Sequence, residues 1–211
     1  DQTTALGWTK EDGSTSLLVG HTNYENREAG DSFVLSYDFK HSQTNLSSLI
    51  AGNESSTGPM AMADYDNDGD LDLFVGGRSV PARYPEPASS KLYRFEKGNF
   101  ELDSLNSIQF KELGLVSGSI FSDIDSDGDF DAFVGSYSRG SRDKDDESSE
   151  NQALGSVAWF ENTKSGWKKN NVLRRKRGMY DKWIPLDIDE DGDLDFVGTR
   201  GNSKPYDGVI W

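Results

Sequence analysis

Three nine-residue stretches constrain this chain more than anything else in it: residues 64–72 (DYDNDGDLD), 123–131 (DIDSDGDFD) and 187–195 (DIDEDGDLD). Each holds five Asp, the third adds Glu190, and none holds Lys or Arg. All follow D-x-D-x-D-G-x-x-D and run straight into an apolar segment containing Gly: LFVGG, AFVGS and FVGT. When such a backbone curls, the Asp side chains at positions 1, 3 and 5 converge on one point. Gly at position 6 permits the turn, the carbonyl of position 7 points inward, and Asp at position 9 closes the shell. Hard oxygen donors of this kind suit Ca²⁺, which accepts about six to eight of them in flexible geometry. Mg²⁺ demands a stricter octahedron, and zinc favours His and Cys. Five carboxylates in nine residues repel one another unless a cation compensates. The stretch begins like an EF-hand loop, but Val75 and Val134 stand where that loop has its Glu, and no flanking helix is legible.

The loops set a long period. Gly69, Gly128 and Gly192 are 59 and 64 residues apart, and 56 residues before Gly69 stands Gly13, in TKEDGSTSLLVG. There Asp12 and Gly13 match Asp68 and Gly69, whereas Trp8, Lys10 and Ser16 match Asp64, Asp66 and Asp72. This reads as a fourth copy without its acidic ligands. Each apolar segment is followed, at variable distance, by an aromatic-rich one: 32–39 (SFVLSYDF), 91–96 (KLYRFE), 156–162 (SVAWFEN) and 208–211 (GVIW). β-Branched and aromatic residues in rough alternation predict half-buried strands. No convincing amphipathic helix is present; KELGL at 111–115 predicts one helical turn at most. The expectation is an all-β chain, a β-propeller of roughly four blades, with repeats at about 1–56, 57–115, 116–176 and 177–211, the last incomplete.

Charge narrows the partners. The net charge is −15, yet the three loops alone carry −16, and the other residues hold 22 basic and 21 acidic groups. A near-neutral body with three acidic loops offers no clustered positive surface for nucleic acid. No apolar run reaches the length of a membrane helix, and no signal peptide is visible. There is no Cys, and His21 and His41 have no partner at metal-ligand spacing. No phosphate loop or nucleophile elbow appears.

The acidic loops and the strands after them resemble the FG-GAP/VCBS repeats of integrin α-subunit propellers and of many secreted bacterial proteins. The resemblance covers nearly the whole chain. It implies a calcium-bearing propeller with side-chain ligands at positions 1, 3, 5 and 9 and a main-chain ligand at 7. Carried over, the first loop supplies Asp64, Asp66, Asp68, Asp70 through its carbonyl, and Asp72. The second supplies Asp123, Asp125, Asp127, Asp129 through its carbonyl, and Asp131. The third supplies Asp187, Asp189, Asp191, Asp193 through its carbonyl, and Asp195. The segments GGRSVPARYPEPASSKLYRFEKGNFELD and FKELGLVSGSIFSDIDSDGD resemble bacterial relatives of cartilage acidic protein. The later segments VAWFENTKSGWKKN and KWIPLDIDEDGDLDFVGTRGNSKPYDGVIW resemble another group of secreted VCBS proteins, with the change near 138–151.

The functional expectation is a non-catalytic calcium-binding scaffold, extracellular or periplasmic, that binds a protein or glycan. Extracellular calcium modules bind at roughly 10⁻⁴–10⁻³ M, so cytosolic calcium would leave them empty. One alternative is a recombined or engineered propeller fragment that self-assembles without a ligand. Another is a polysaccharide-active enzyme domain, although nearly every carboxylate pair belongs to the loops. Propellers of this family commonly have seven blades, and the chain stops at Trp211 inside an expected third strand. It therefore reads as part of a longer ring, an open arc, or a homo-oligomer that completes the propeller. The basic run 168–177 and the Pro-stiffened 81–87 read first as surface features, and Trp167 and Trp183 as packing residues.

Overall fold

Strands in this chain come in sets, because each D-G turn reverses the chain between two apolar segments whose register the turn fixes. The computed structural model describes residues 2–10, 12–22, 34–40, 43–50, 54–84, 86–137, 156–174, 180–200 and 208–211. Four antiparallel sheets follow one another along the chain. The first is β1 (Gln2–Thr9), β2 (Thr15–His21), β3 (Val34–Lys40) and β4 (Gln43–Ile50), paired in sequence order. The second is β5 (Ser56–Ala63), β6 (Asp72–Ser79), β7 (Lys91–Glu96) and β8 (Asn99–Leu102). The third is β9 (Leu115–Ser122), β10 (Asp131–Tyr137), β11 (Ser156–Thr163) and β12 (Gly166–Arg174). The fourth has three strands, β13 (Tyr180–Leu186), β14 (Asp195–Arg200) and β15 (Gly208–Ile210).

The sheets are the blades of a four-bladed β-propeller. Their first strands meet in order, β1 against β5, β5 against β9, and β9 against β13. A cavity of about 430 Å³ is lined from all four of these strands, by Thr3, Thr4, Gly58, Pro59, Ser117 and Asp181, with Arg78 of β6. No hydrogen-bonded strand joins the first and fourth sheets among the described residues, so the ring is not closed by a shared sheet.

Apolar cores lie between successive blades, as radial stacking requires. Leu18, Trp8 and Val34 of the first sheet pack on Met60, Leu73, Val75 and Tyr93 of the second. Phe74, Leu92 and Phe110 pack on Val134, Ala158, Phe160 and Trp167 of the third. Phe133 and Val157 then pack on Tyr180 and Trp183, with Phe196 stacked on Phe133 at 4.0 Å. Trp167 and Trp183 are thus packing residues, as expected.

The glycines that close the apolar segments owe their place to these joints. Gly20, Gly76 and Gly135 stand four residues after Ser16, Asp72 and Asp131. A Cβ on them would lie 2.7 Å from Thr57 Cγ2, 2.9 Å from Val116 Cγ1 and 2.5 Å from Trp183 Nε1, each on the next blade. Only Gly lets successive blades approach this closely.

Among the described residues, helix is confined to one place. Residues 111–115 form a turn and the start of β9, and the helical turn precedes them, as α1 (Ser104–Ser107) and a 3-10 turn at Ile108–Phe110. Asp103 decides this, because its carboxylate accepts Asn106 N at 3.0 Å and caps the helix. Gly114, at φ +108°, ends the helical path before β9. The basic run forms the outer strand β12 up to Arg174, with Lys168 Nζ 2.6 Å from Glu161; residues 175–177 lie outside the described residues. The region 138–151 also lies outside them.

Candidate metal centres

Each acidic loop joins the first and second strands of its sheet, so the three sit at equivalent positions on blades two, three and four. The turn is built alike each time. Gly69, Gly128 and Gly192 take φ of +100°, +96° and +97°. The residues two before them, Asn67, Ser126 and Glu190, also lie in the left-handed region, at φ 60°, 60° and 59°. Asn accepts that conformation readily, whereas Ser and Glu give no sign of it in sequence.

The position-1 carboxylates hold the curl. Asp64 accepts from Asp68 N and Gly69 N, both at 3.0 Å, and Asp187 from Asp191 N and Gly192 N at 3.2 and 3.1 Å. Among the described residues, Asp123 accepts from Gly128 N alone, at 3.2 Å. Its Oδ1 is buried with no hydrogen-bond partner, an orphaned oxygen inside the loop. The position-5 residues cap the amide two residues on: Asp68 with Asp70 N, Asp127 with Asp129 N and Asp191 with Asp193 N, at 2.9–3.0 Å.

Three carboxylates converge in every loop. Ligand oxygens of Asp64, Asp66 and Asp72 lie within 4.8 Å of one another, as do those of Asp123, Asp125 and Asp127, and those of Asp187, Asp189 and Asp195. Ca²⁺–oxygen bonds are about 2.3–2.6 Å, so ligands on opposite sides of the ion are about twice that apart. The spacing and the all-oxygen donor set fit Ca²⁺, and the orphaned Asp123 oxygen marks an acceptor with no proton to accept. Asp68, Asp131 and Asp191 stand outside the converging trios, and Asp70, Asp129 and Asp193 enter the expectation through their carbonyls.

The ninth residue has a second task that spacing does not reveal. Asp72 is fully buried and accepts Tyr65 N at 3.2 Å and, from the third strand of its sheet, Phe95 N at 3.0 Å. Asp131 repeats this with Ile124 N at 3.2 Å and Asn162 N at 2.7 Å. Asp195 accepts Ile188 N at 3.0 Å. A single carboxylate therefore couples the loop to the sheet. Burial pushes the Asp72 carboxyl up to about 7 and that of Asp131 up to about 6, against the amide hydrogen bonds that favour ionisation. Burial and the neighbouring Asp68 raise Asp66 likewise. The carboxylates are thus short of positive charge.

The first blade solves the same problem covalently. Asp12 caps Ser14 N at 2.9 Å, and Gly13 takes φ +76°, which reproduces the turn. Lys10, at position 3, places its ammonium 2.8 Å from Asp38 and 5.0 Å over the ring of Trp8, which holds position 1. Ser16, at position 9, donates to the same Asp38. An ammonium stands where the other loops gather carboxylates.

The first and second acidic loops are also tied together, Asn67 Nδ2 donating to Asp129 Oδ1 at 2.6 Å. Beside them lies a cleft of about 510 Å³ lined by Tyr65, Asn106, Gln109, Asn162 and Trp167 among others. No protein-family model matches the chain, and no curated protein matches it.

Proposed function

We propose that the protein is a non-catalytic, calcium-stabilised β-propeller that serves outside the cytosol as a scaffold for a protein or glycan ligand. The observation that carries this reading is a converging carboxylate trio on each of three successive blades, from positions 1, 3 and 9 on the second and fourth and from positions 1, 3 and 5 on the third. The motif resemblance to FG-GAP/VCBS repeats supports the same assignment. Asp64, Asp66, Asp68 and Asp72 would hold one ion, with the carbonyl of Asp70; the matching residues of the other loops would hold two more. Bound calcium supplies the positive charge that the buried Asp72 and Asp131 lack. Three ions would bring the formal charge from −15 to −9. The cleft beside the first and second acidic loops offers amide and aromatic groups of the kind that contact sugars or peptides.

Calorimetric titration of chelator-stripped protein tests this. Three Ca²⁺ per chain with affinities near 10⁻⁴–10⁻³ M are expected, with a rise in melting temperature on saturation. No calcium uptake, and a melting temperature indifferent to chelator, would sink the reading.

A further inference from the structure

The cleft between the second and third blades is short of hydrogen-bond donors. It holds about 510 Å³ and is lined by α1, the 3-10 turn, the first two acidic loops and the turn after β11. Three of its residues engage their amide nitrogens within the walls. Asn67 Nδ2 donates to Asp129 Oδ1 at 2.6 Å, and Asn106 Nδ2 to Asp103 Oδ2 at 2.8 Å. Asn162 Nδ2 donates to the carbonyls of Tyr65 and Phe130, at 2.6 and 3.4 Å. Among the described residues, no donor reaches the side-chain oxygens of these three, Asp129 Oδ2 or the Gln109 amide. The cleft therefore carries a surplus of acceptors.

Charge and shape narrow what would satisfy them. Among the described residues no Lys, Arg or His lines the cleft, whereas Asp66 and Asp129 do. The first two acidic loops each hold five Asp, so one Ca²⁺ apiece would still leave each at −3. The local potential is thus negative with or without the ion. Leu105 lines the cleft and is 79% exposed, and Ile108, three residues on, is 63% exposed. Tyr65 and Trp167 are 3% and 6% exposed and packed edge to face at 5.7 Å, so a ligand reaches their ring edges and not an open ring face. The helical wall is set in advance: Tyr65 Oη donates to Asp103 at 3.1 Å, and Asp103 caps Asn106 N at 3.0 Å.

We propose that this cleft binds a protein segment through an arginine side chain. A guanidinium brings five N–H donors and no acceptor, and it is weakly hydrated. It pairs with the Asp129 carboxylate and the amide oxygens, while its aliphatic stem and an apolar neighbour cover Leu105 and Ile108. This rests on the reading of the protein as a ligand-binding scaffold and narrows that ligand to a basic, apolar peptide. It does not require calcium in the loops.

Titration of the isotope-labelled 211-residue chain with a capped Gly-Leu-Arg-Leu-Gly peptide, followed by NMR, tests the proposal. Binding at about 1 mM or tighter is expected, with amide shifts at Asn106, Gln109, Asn162 and Ser165. Citrulline in place of the arginine keeps the shape and removes the charge, and should weaken binding at least about tenfold. Gln109 is exposed, so Q109K and Q109E should keep the wild-type circular dichroism. Q109K should abolish binding, and Q109E should tighten it about threefold or more. A peptide indifferent to Q109K, a citrulline peptide that binds equally, shifts confined to other residues, or capture of maltoheptaose in place of the peptide would each overturn it. Calcium uptake without peptide binding would overturn this proposal alone. Peptide binding without calcium uptake would uphold it and sink the calcium reading.

Discussion

Replacing Lys10 with Met asks whether an ammonium does in the first blade what a cation does in a loop. Met keeps most of the aliphatic stem and removes the charge. The lost contacts are the charge-assisted hydrogen bond to Asp38 at 2.8 Å and the position over Trp8 at 5.0 Å. A hydrogen bond to a charged group is worth about 1.5–3 kcal/mol, and a partly exposed cation–π contact about 0.5–1 kcal/mol. The two side chains of the ion pair are 30% and 25% exposed, so solvent screening pulls the sum down. About 2 kcal/mol remains. For a domain of this size, each kcal/mol moves the melting temperature by about 2–4 °C, so K10M should melt about 4–8 °C below wild type. Scanning calorimetry measures this.

The pH dependence gives an independent check on the same substitution. The hydrogen bond from Lys10, foremost, holds the Asp38 carboxyl below its usual range. A group depressed in the folded state stabilises above its unfolded pKa and loses that contribution as pH falls through the folded value. The gap between K10M and wild type should therefore be full above about pH 4 and should close below it. A gap under about 1 °C at neutral pH, or one that persists undiminished in acid, would refute the assignment of Lys10 as the built-in cation.

Two further outcomes follow from the geometry. Gly135→Ala should destabilise by about 1–3 kcal/mol in urea, because its Cβ would meet Trp183 and the Tyr180 carbonyl at 2.5 and 2.7 Å; Gly7→Ala, with nothing within 4 Å, should be neutral or slightly stabilising. In chelator, stability should rise as pH falls from about 8 to about 5, because Asp72 and Asp131 bind protons more readily folded than unfolded; saturating calcium should remove or reverse that slope, and parallel pH profiles with and without calcium would refute it.

The propeller and the position of the loops were legible because both are written in local pattern: a D-G turn between two apolar segments, repeated. The short helix was misplaced by a few residues, since a cap from Asp103 outweighed the helical residues after it. What was illegible depends on strands meeting far along the chain. Asp38 is 28 residues from Lys10, and only the register of β2 with β3 brings Ser16 opposite it and Lys10 within reach. The bonds from Asp72 to Phe95 and from Asp131 to Asn162 likewise cross to a strand whose distance in sequence varies. Gly20, Gly76 and Gly135 were visible as strand endings, but the atoms they make room for belong to the next blade.

The four blades together answer why a carboxylate would be buried at all. Asp72 and Asp131 are 0% exposed, and among the described residues no Lys or Arg hydrogen-bonds or ion-pairs with either. A buried anion with neutral donors alone is still costly, and the elevated carboxyls express that cost. The first blade avoids it by putting Ser16 in that place, moving the anion across to Asp38 on β3, and bringing the cation on a side chain. That arrangement carries its cation within the chain and takes none from solution. If the loops bind calcium as proposed, keeping the Asp makes the order of the second and third sheets depend on the medium, since Asp72 and Asp131 also accept an amide of the third strand. The degenerate first copy is then the one blade whose local order should survive chelation, and amide exchange that rises in β6, β10 and β14 but not in β2 would show it.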